Sequence, residues 1–279
     1  MNIFEAIFLG IVQGVSEFLP ISSSGHLVLF ENMFKIGNPE QYMTFNLLLH
    51  LGSLVAVFIA FWADIKAVLI TVWNIILNIF GQKRKIEKSE RKLVVLLIIS
   101  LVPMVIMLPF KGFIESMFHS AWIASACLLL TGVLLNLADK TAAGEKSVKG
   151  ATTGDAFGVG VMQALAICPG LSRSGATITG GLLTGFTREF AVKFSFLMSI
   201  PTILGAVILE IPDVIKTTGE SPGNLVAYII GAVAAGVSGY FAIKMVRYIA
   251  KSGKFGGFAI YCYIAGCIGL VYSLIDLFV

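Results

Sequence analysis

The chain alternates long apolar segments with short polar ones, and the lengths of the apolar segments predict membrane-crossing helices. A helix needs about 20 predominantly apolar residues to cross a bilayer. Six segments are close to this length: Thr44–Trp62, Leu93–Leu108, Ala121–Leu137, Glu189–Ile211, Leu225–Val246 and Gly257–Phe278. We therefore predict an all-α polytopic membrane protein with about six transmembrane helices.

Four further apolar segments are too short to cross a bilayer, and they occur as two pairs with a proline between the members of each pair. The first pair is Asn2–Val15 and Ser22–Phe34, and the second is Asp155–Cys168 and Ser172–Gly185. Two half-length helices joined by a polar elbow are typical of a re-entrant helical hairpin. Such irregular backbone is tolerated at membrane depth only where protein or water covers it.

The segment Thr44–Phe80 is longer than one span, although Ala67–Phe80 alone is too short for a second span. Trp62 lies between these parts, and Trp is typical of the membrane–water interface. We expect one span to end near Trp62 and the chain to continue as an interfacial helix.

Three polar segments are rich in Lys and Arg and predict the orientation of the chain. Gly81–Lys92 contains six basic residues, while Asp139–Thr153 and Arg247–Gly256 contain three each. Because cytoplasmic loops carry an excess of Lys and Arg, we expect these segments inside, with both termini and Pro212–Gly223 outside. The first hairpin then enters from outside and the second from inside, so the two halves are related by inversion in the membrane plane.

The two predicted elbows, from Gln13 to His26 and from Gln163 to Thr177, are also similar in sequence. A shift of 150 residues gives five identities in sixteen positions, where a usage of ~7% per common residue predicts about one. The identical pairs are Gly10 and Gly160, Gln13 and Gln163, Ser22 and Ser172, Ser24 and Ser174, and Gly25 and Gly175. We predict a single membrane domain of two inverted-topology repeats, of about residues 1–138 and 151–279, with a cytoplasmic connector of about 139–150. Such repeats place their polar site near the bilayer midplane.

The composition supports membrane embedding and argues against nucleic-acid binding. Apolar residues make up 57% of the chain and charged residues 13%, against ~25% charged residues in a soluble domain. The net charge of +4 is small and lies in the polar loops. It is therefore interpreted as a determinant of membrane orientation.

The polar residues of the two elbows are candidates for an anion site. Arg173 carries a fixed charge, and its planar fork suits two phosphate oxygens. Ser22 and Ser172 begin the inner half-helices, whose N-termini supply backbone N–H groups and positive dipole ends. A phosphate or diphosphate site is one interpretation; in the other, Arg173 pairs with a carboxylate and only holds the hairpins together. The residues that we expect to bind phosphate are Gln13, Ser22, Ser24, Gln163, Ser172, Arg173 and Ser174.

Glu17, Ser23 and His26 are the candidates for catalysis. Glu17 ends the first half-helix, where a carboxylate is able to take a proton, hold a divalent cation or pair with Arg173. His26 follows Ser23 by three residues, so its ring can reach that hydroxyl on one helix face. This spacing permits a Ser23 nucleophile with His26 as the base, or protonation of a leaving group by His26.

The two elbows resemble the signatures of the undecaprenyl-diphosphate phosphatase family, the integral-membrane bacitracin-resistance type. The first signature, E/Q-x-x-x-E leading to a Pro–hydroxyl–Gly–His segment, is present from Gln13 to His26. The second, P-G-x-S-R-S-G-x-T, is present from Pro169 to Thr177. Position 13 is Gln, where some members carry a second Glu. Length, span pattern and inverted repeat are similar to the family over the whole chain.

The resemblance implies an enzyme that removes the terminal phosphate of a C55 polyprenyl diphosphate, giving the lipid carrier used in cell-wall synthesis. It implies a multi-pass protein of the bacterial inner (plasma) membrane, with its active site towards the outer side, and a divalent metal ion, Mg or Ca. It also implies catalytic or phosphate-binding roles for Glu17, Ser23, His26 and Arg173. With Gln at position 13, Glu17 is expected to hold the metal alone with phosphate oxygens and water. Two questions stay open: whether Ser23 forms a phospho-enzyme or orients a water, and whether the protein is a homodimer.

Two other classes of function are compatible with parts of this pattern. Inverted repeats, broken helices and an anion site also describe a membrane transporter or flippase for a phosphorylated polyprenyl lipid. His26 beside Ser23 discriminates against that alternative, because moving a phosphate head group does not require an acid–base pair. A purely structural membrane protein leaves the cluster of Glu17, His26, Arg173 and hydroxyls unexplained.

Overall fold

The structure of the protein is a computed structural model that describes residues 2–34, 43–142, 144–217 and 225–278. Within these ranges the chain is all-helical and contains no β-strand. The helices are α1 (Ile3–Phe18), α2 (Ser23–Phe34), α3 (Met43–Ala60), α4 (Trp62–Ile79), α5 (Lys88–Met107), α6 (Lys111–Met117), α7 (Ala121–Lys140), α8 (Thr153–Leu165), α9 (Arg173–Leu183), α10 (Arg188–Thr217), α11 (Leu225–Ser252) and α12 (Gly256–Phe278).

Six helices of the described ranges are long and apolar enough to cross a membrane, as predicted. They are α4, α5 with its continuation through α6, α7, α10, α11 and α12. Five of them coincide with predicted spans, so the prediction of a multi-pass helical membrane protein is confirmed. The sixth predicted span, Thr44–Trp62, corresponds to α3, whose segment Thr44–Ala60 is one of the shorter apolar helices. The sixth candidate is instead α4, which has 18 residues and qualifies by length and composition. The prediction that the chain after Trp62 is too short to cross is therefore wrong, because the helix begins at Trp62 and is long enough.

Helices extend further into the polar segments than predicted. α10 continues to Thr217 and α11 to Ser252, inside the predicted loops Pro212–Gly223 and Arg247–Gly256, and residues 218–224 lie outside the described residues. α5 likewise begins within the basic segment, at Lys88. Hydropathy marks where the bilayer ends, whereas a helix is free to continue beyond it into water, which explains the difference.

The short helices α1 and α8 begin with the same device at equivalent positions. Asn2 accepts a hydrogen bond from the backbone N–H of Glu5 at 2.8 Å, and the Glu5 carboxylate accepts one from the backbone N–H of Asn2 at 2.9 Å. Thr152 and Asp155 form the same reciprocal pair at 3.1 and 2.8 Å. Each capping box satisfies two backbone donors at a helix start, which fixes where these half-length helices begin.

Glycines bring the same two helices very close to their neighbours. Gly10 of α1 lies against the backbone carbonyl of Gly231 in α11, and Gly160 of α8 lies against that of Ser100 in α5. A Cβ at either glycine would overlap that carbonyl oxygen. Small residues at such crossings allow close helix packing in membranes. The crossings fix the positions of the C-terminal ends of α1 and α8, where the elbows begin.

One end of the bundle, which we call the basic end, carries the connection between α7 and α8. Lys92 of α5 donates a hydrogen bond to the carbonyl of Lys149 in this connection at 2.6 Å. The backbone N–H of Phe255, before α12, donates to Asp139 of α7 at 2.7 Å. The N-terminus of α5, the C-terminus of α7 and the connection between α11 and α12 therefore meet at the basic end.

Candidate active site

The inner helices of the two elbows, α2 and α9, each begin at a serine that caps the first turn. Ser22 accepts a hydrogen bond from the backbone N–H of Gly25 at 3.2 Å, and Ser172 accepts one from Gly175 at 3.1 Å. Ser22 and Ser172 therefore act as the N-caps of α2 and α9. The first two N–H groups of each helix have no acceptor within the helix. Both N-termini are therefore suited to an anion.

The two elbows touch each other through residues without bulky side chains. A Cβ built on Gly25 would lie 2.7 Å from the Cα of Gly170, and one built on Gly175 would lie 3.3 Å from the Cβ of Pro20. Gly170 has φ +92°, a left-handed conformation that Gly adopts without steric cost. The elbows thus bring residues that are far apart in sequence into one site.

A cavity of about 60 Å³ lies between the elbows. Its walls are seven polar and two apolar residues from both elbows: Ser16, Glu17, Ser22, Ser23, Ser24, Ala166, Leu171, Ser172 and Arg173. A water occupies ~10–15 Å³ by this measure, so the cavity has room for several waters or for a small anion. Six of the predicted site residues therefore share one cavity.

Glu17 is the centre of the hydrogen-bond network in this cavity. Its Oε1 accepts from Nη2 of Arg173 at 2.6 Å, in an ion pair whose side chains are 8% and 17% exposed. Its Oε2 accepts from the Ser23 hydroxyl at 2.8 Å and from Nε2 of Gln13 at 3.1 Å. Because a carboxylate accepts only, the Gln13 amide nitrogen must face it. The structure joins Glu17, Ser23 and Arg173 into one chemical unit.

The ring nitrogens of His26 are hydrogen-bonded to groups other than the Ser23 hydroxyl, unlike in the predicted pairing. Its Nδ1 lies 2.6 Å from the backbone carbonyl of Ser22, and its Nε2 lies 2.6 Å from the Tyr261 hydroxyl. The carbonyl only accepts, so Nδ1 carries a proton, and in the neutral ring Nε2 accepts from Tyr261. The Tyr261 ring also stacks on the imidazole, with centroids 5.4 Å apart. The Ser23 hydroxyl is hydrogen-bonded to Glu17 instead.

Ser22 adopts a backbone conformation that is uncommon for a residue with a side chain. Its φ is +67°, and it is the one non-glycine residue of the described ranges with a positive φ. Ser172, at the equivalent position, has φ −68°. A residue other than glycine in the left-handed conformation stores backbone strain, and such residues cluster at functional sites. The two elbows are therefore similar but not identical, and the strained one carries Glu17 and Ser23.

Three other predicted phosphate ligands lie beyond the walls of the cavity. Ser174 is hydrogen-bonded to Ser172 at 3.2 Å, as Ser24 is to Ser22 at 3.3 Å. Gln13 and Gln163 are each 1% exposed. Within the described part of the chain, Oε1 of Gln13 and both amide atoms of Gln163 have no hydrogen-bond partner. Their role as phosphate ligands stays a prediction.

Tyr261 and Thr131 are neighbours of the site that sequence reasoning missed. Thr131 of α7 accepts from the backbone N–H of Ser172 at 2.9 Å and donates to the carbonyl of Gly170 at 2.9 Å. It thereby holds the second elbow at the start of α9. A single Tyr or Thr in an apolar helix is not a motif, so the sequence offered only their polarity at membrane depth as a signal.

The site has donor atoms for a hard divalent cation, although not a complete set. Among the described residues, no three His, Cys, Asp or Glu side chains form a group that could hold a metal ion. Glu17 provides one carboxylate, and the buried Oε1 of Gln13 has no hydrogen-bond partner in the described ranges. Mg²⁺ is commonly bound by one or two carboxylates, with phosphate oxygens and waters as the other ligands. The residues therefore fit a cation whose coordination an anionic ligand completes.

Comparison with known proteins identifies relatives over the full length of the chain. Residues 6–268 match the family model described as bacitracin resistance protein BacA. A protein from Halothermothrix orenii named undecaprenyl-diphosphatase is 41% identical over 95% of this chain and 96% of its own length. Proteins of the same name from Alkaliphilus metalliredigens and Methanobrevibacter smithii are 41% and 39% identical, over 99% and 100% of this chain and the whole of their own lengths.

Proposed function

The chain belongs to the bacitracin resistance protein BacA family, and from that premise we propose that it is a phosphatase that hydrolyses undecaprenyl diphosphate to undecaprenyl phosphate and inorganic phosphate. The relatives are named for this activity and match the chain from end to end. The observation that carries the proposal is the unit of Ser23, Glu17 and Arg173 in one cavity. The transporter alternative is not favoured, since the relatives are named as diphosphatases.

In the proposed reaction, the Ser23 oxygen attacks the terminal phosphorus of the diphosphate. Glu17, hydrogen-bonded to that hydroxyl at 2.8 Å, takes the proton as the oxygen–phosphorus bond forms. The bridging oxygen leaves with undecaprenyl phosphate, and a water then releases phosphate from Ser23. Glu17 thus takes the role of base, for which the sequence had left His26 as another candidate, because it is the group that already accepts the Ser23 hydrogen bond.

Arg173 and the two helix N-termini bind the phosphate oxygens in this proposal. The contact with Glu17 uses Nη2 of Arg173, and a guanidinium has five N–H donors in all. The first-turn N–H groups of α2 and α9 act from both sides of the cavity, near Ser22 and Ser172. His26 keeps Ser22 in place through its carbonyl, and so orients the N-terminus of α2.

A divalent ion, Mg or Ca, fits the same arrangement. Glu17 would hold it together with the diphosphate oxygens and water. When bound, such an ion neutralises phosphate charge and polarises the phosphorus–oxygen bond. Glu17→Gln retains the shape of the side chain but removes both the charge that attracts the cation and the base that takes the Ser23 proton, so we expect a loss of activity that higher Mg²⁺ concentrations do not recover.

We also propose that the fold is a single domain of two inverted repeats, with α1–α2 and α8–α9 as re-entrant hairpins. The 150-residue offset relates the capping boxes at Asn2 and Thr152 as well as the caps at Ser22 and Ser172. It also relates the crossing of α1 with α11 to that of α8 with α5, each made by a glycine at position 10 or 160. These correspondences support a pseudo-twofold axis between the elbows.

The direct test of the proposed function is phosphate release by purified protein from undecaprenyl diphosphate, with and without a chelator. We expect release of one phosphate per lipid, loss of activity with chelator, and recovery with Mg²⁺ or Ca²⁺. A protein that binds the lipid and moves it across vesicles without releasing phosphate would refute the proposal and favour a transporter.

The proposed orientation places the site in the inner membrane and open to the outer side, with the basic end inside. Single cysteines at exposed Lys85 and His119 report on the two sides of the membrane. On intact cells, an impermeant maleimide is expected to label His119→Cys but not Lys85→Cys, above the background of the four native cysteines. The reverse labelling pattern contradicts this orientation.

The contact between Tyr261 and His26 predicts a moderate effect on the reaction. Tyr261→Phe removes one neutral hydrogen bond to Nε2, worth ~0.5–1.5 kcal/mol, or about 2- to 13-fold in kcat. The ¹⁵N resonance of His26 Nε2 should move at the same time, because its hydrogen bond is lost. Tyr263→Phe is the matched control, since Tyr263 accepts from Asn136 at 2.8 Å and is expected to leave both readouts unchanged. Equal effects of the two variants would assign Tyr261 to packing alone.

A further inference from the structure

Helix α4 is held at the basic end of the bundle along its length. Asp64 in its first turn forms an ion pair with Lys193 of α10. Thr71, at its middle, donates a hydrogen bond to Glu90 at 3.2 Å. Glu90 belongs to the first turn of α5, two residues before the Lys92 that contacts the basic-end connection. If α4 crossed the membrane alongside α5, the seven residues from Asp64 to Thr71 would separate these two side chains by ~10 Å along the membrane normal. Thr71 would then lie opposite the middle of α5, too far from Glu90 for a hydrogen bond.

The chain after α4 is too short to return from the far side of a bilayer. Asn78 near the end of α4 accepts from the backbone N–H of Arg84 at 2.5 Å and donates to the Arg84 carbonyl at 3.0 Å. From Arg84 to Lys88, where α5 begins, there are only four steps of the chain, which span at most ~14 Å. The hydrocarbon core is ~30 Å thick. The C-terminal end of α4 therefore lies near the level at which α5 begins, while the ion pair of Asp64 with Lys193 holds its N-terminal part near the start of α10.

The outward face of α4 is apolar and aromatic, although the helix lies at a membrane boundary. Four large apolar side chains at helical spacing are between 38% and 59% exposed: Trp62, Leu69, Trp73 and Ile76. Trp73 is 59% exposed near the middle of this face. A helix that lies in the interface plane buries such a face among the acyl chains.

The segment that follows α4 is strongly basic. Residues 81–92 contain six Lys or Arg and two Glu. Lys83, Arg84, Lys85, Lys88 and Arg91 are exposed, and the Asn78–Arg84 hydrogen bonds hold the start of the segment against the end of α4. Positive groups beside an interfacial apolar face are complementary to anionic lipid head groups.

We propose that α4 and the basic segment 83–92 form a docking surface for anionic phospholipid in the leaflet at the basic end, and that α4 lies in the interface without crossing the membrane. The apolar face of α4 enters the acyl region of that leaflet, while the Lys and Arg side chains bind the phosphates of its head groups. The surface is distinct from the cavity between the elbows, and it does not depend on the proposed enzymatic function.

The depth of two tryptophans in the bilayer tests the position of α4. The chain has three Trp residues, so Trp→Phe changes give proteins that retain only Trp62, only Trp73 or only Trp122. Fluorescence quenching by lipids brominated at different acyl positions measures the depth of each. Trp62 and Trp73 are expected at similar, shallow depths. A crossing helix would instead separate them by ~16 Å, eleven residues along the axis, and would overturn the proposal.

The head-group preference is tested with the protein that retains only Trp73. In vesicles with equal amounts of brominated phosphatidylglycerol or brominated phosphatidylcholine, we expect quenching to be about twofold or more stronger with the anionic lipid. The preference should disappear in K83Q/R84Q/K85Q and at high salt, where charges are screened. Trp122, at the end of α7 opposite to Asp139, is the control and should show no preference.

Two results would refute the lipid surface. Equal quenching of Trp73 by both lipids would mean that the basic residues do not select head groups. Protection of Trp73 from both brominated lipids, with a cross-linked dimer at the same face, would mean that a second copy of the chain covers α4. A melting temperature equal to that of the parent protein, measured in parallel, shows that the K83Q/R84Q/K85Q variant is folded.

Discussion

Ser23→Ala is expected to lower kcat by ~10³-fold or more, because no other group then forms the phospho-enzyme. In the structure the Ser23 hydroxyl donates to Glu17 at 2.8 Å and faces the cavity between the elbows. If Ser23 only orients a water or a phosphate oxygen, its loss should cost one hydrogen bond to a charged group. That is ~1.5–3 kcal/mol, or roughly 10- to 150-fold. The two roles therefore differ in magnitude, and single-turnover rates measure the difference.

Ser24→Ala is the matched control for this prediction. Ser24 lines the same cavity, and its hydroxyl is hydrogen-bonded to Ser22 instead of the carboxylate. We expect Ser24→Ala to lower activity by no more than the loss of one hydrogen bond to a charged group, roughly 10- to 150-fold. A labelled phosphoserine trapped in the wild-type enzyme and absent from the Ser23→Ala enzyme would support the nucleophile. A Ser23→Ala enzyme with a tenth of the wild-type rate would leave water as the nucleophile, activated by Glu17.

Arg173→Lys is expected to reduce kcat/KM by ~10²-fold or more, even though the charge is kept. Lys is able to maintain the buried ion pair with Glu17, which Arg173 forms at 2.6 Å. It cannot also present a planar fork to two phosphate oxygens. The prediction therefore separates phosphate binding from the alternative in which Arg173 only holds the hairpins together.

The stability of Arg173 variants completes this test. Arg173→Gln leaves the Glu17 charge unpaired and should lower the melting temperature, since breaking a buried ion pair costs ~3–5 kcal/mol. Arg173→Lys should stay closer to the wild type in stability while it loses activity. Arg188→Lys, at a residue that donates to the Thr141 carbonyl outside the cavity, serves as the control and should retain both. Normal activity in Arg173→Lys would make Arg173 a structural counter-ion.

The membrane helices were predictable because their signal is a long run of apolar residues. The termini of α10 and α11 were not, since a helix continues into water without a change in hydropathy. α4 shows a second limit. Its sequence is compatible with a span or with an interfacial helix, and the choice depends on tertiary contacts such as those of Asp64 and Thr71. Composition carries no information about those contacts.

The gathering of Glu17, Ser23 and Arg173 in one cavity followed from the sequence, because the two similar elbows predicted one shared polar site. The partner of each side chain did not follow. Spacing along one helix favours Ser23 with His26, but the ring nitrogens of His26 are hydrogen-bonded to the Ser22 carbonyl and the Tyr261 hydroxyl. The preceding helix supplies the acceptor of the Ser23 hydroxyl, Glu17. Tyr261, 235 residues after His26, was beyond any local pattern.

The ion pair between Glu17 and Arg173 also has a consequence for how the protein is made. The two residues are 156 positions apart, so at ~5–20 residues per second the ribosome needs roughly 10–30 s to synthesise the intervening chain. During that time the nascent N-terminal half holds a carboxylate without its guanidinium. The Glu17 carboxylate has no buried partner until the second elbow has been synthesised, so this ion pair is a late step in the formation of the cavity. A ribosome that stalls before Arg173 leaves a half-protein in which Glu17 has no guanidinium to pair with.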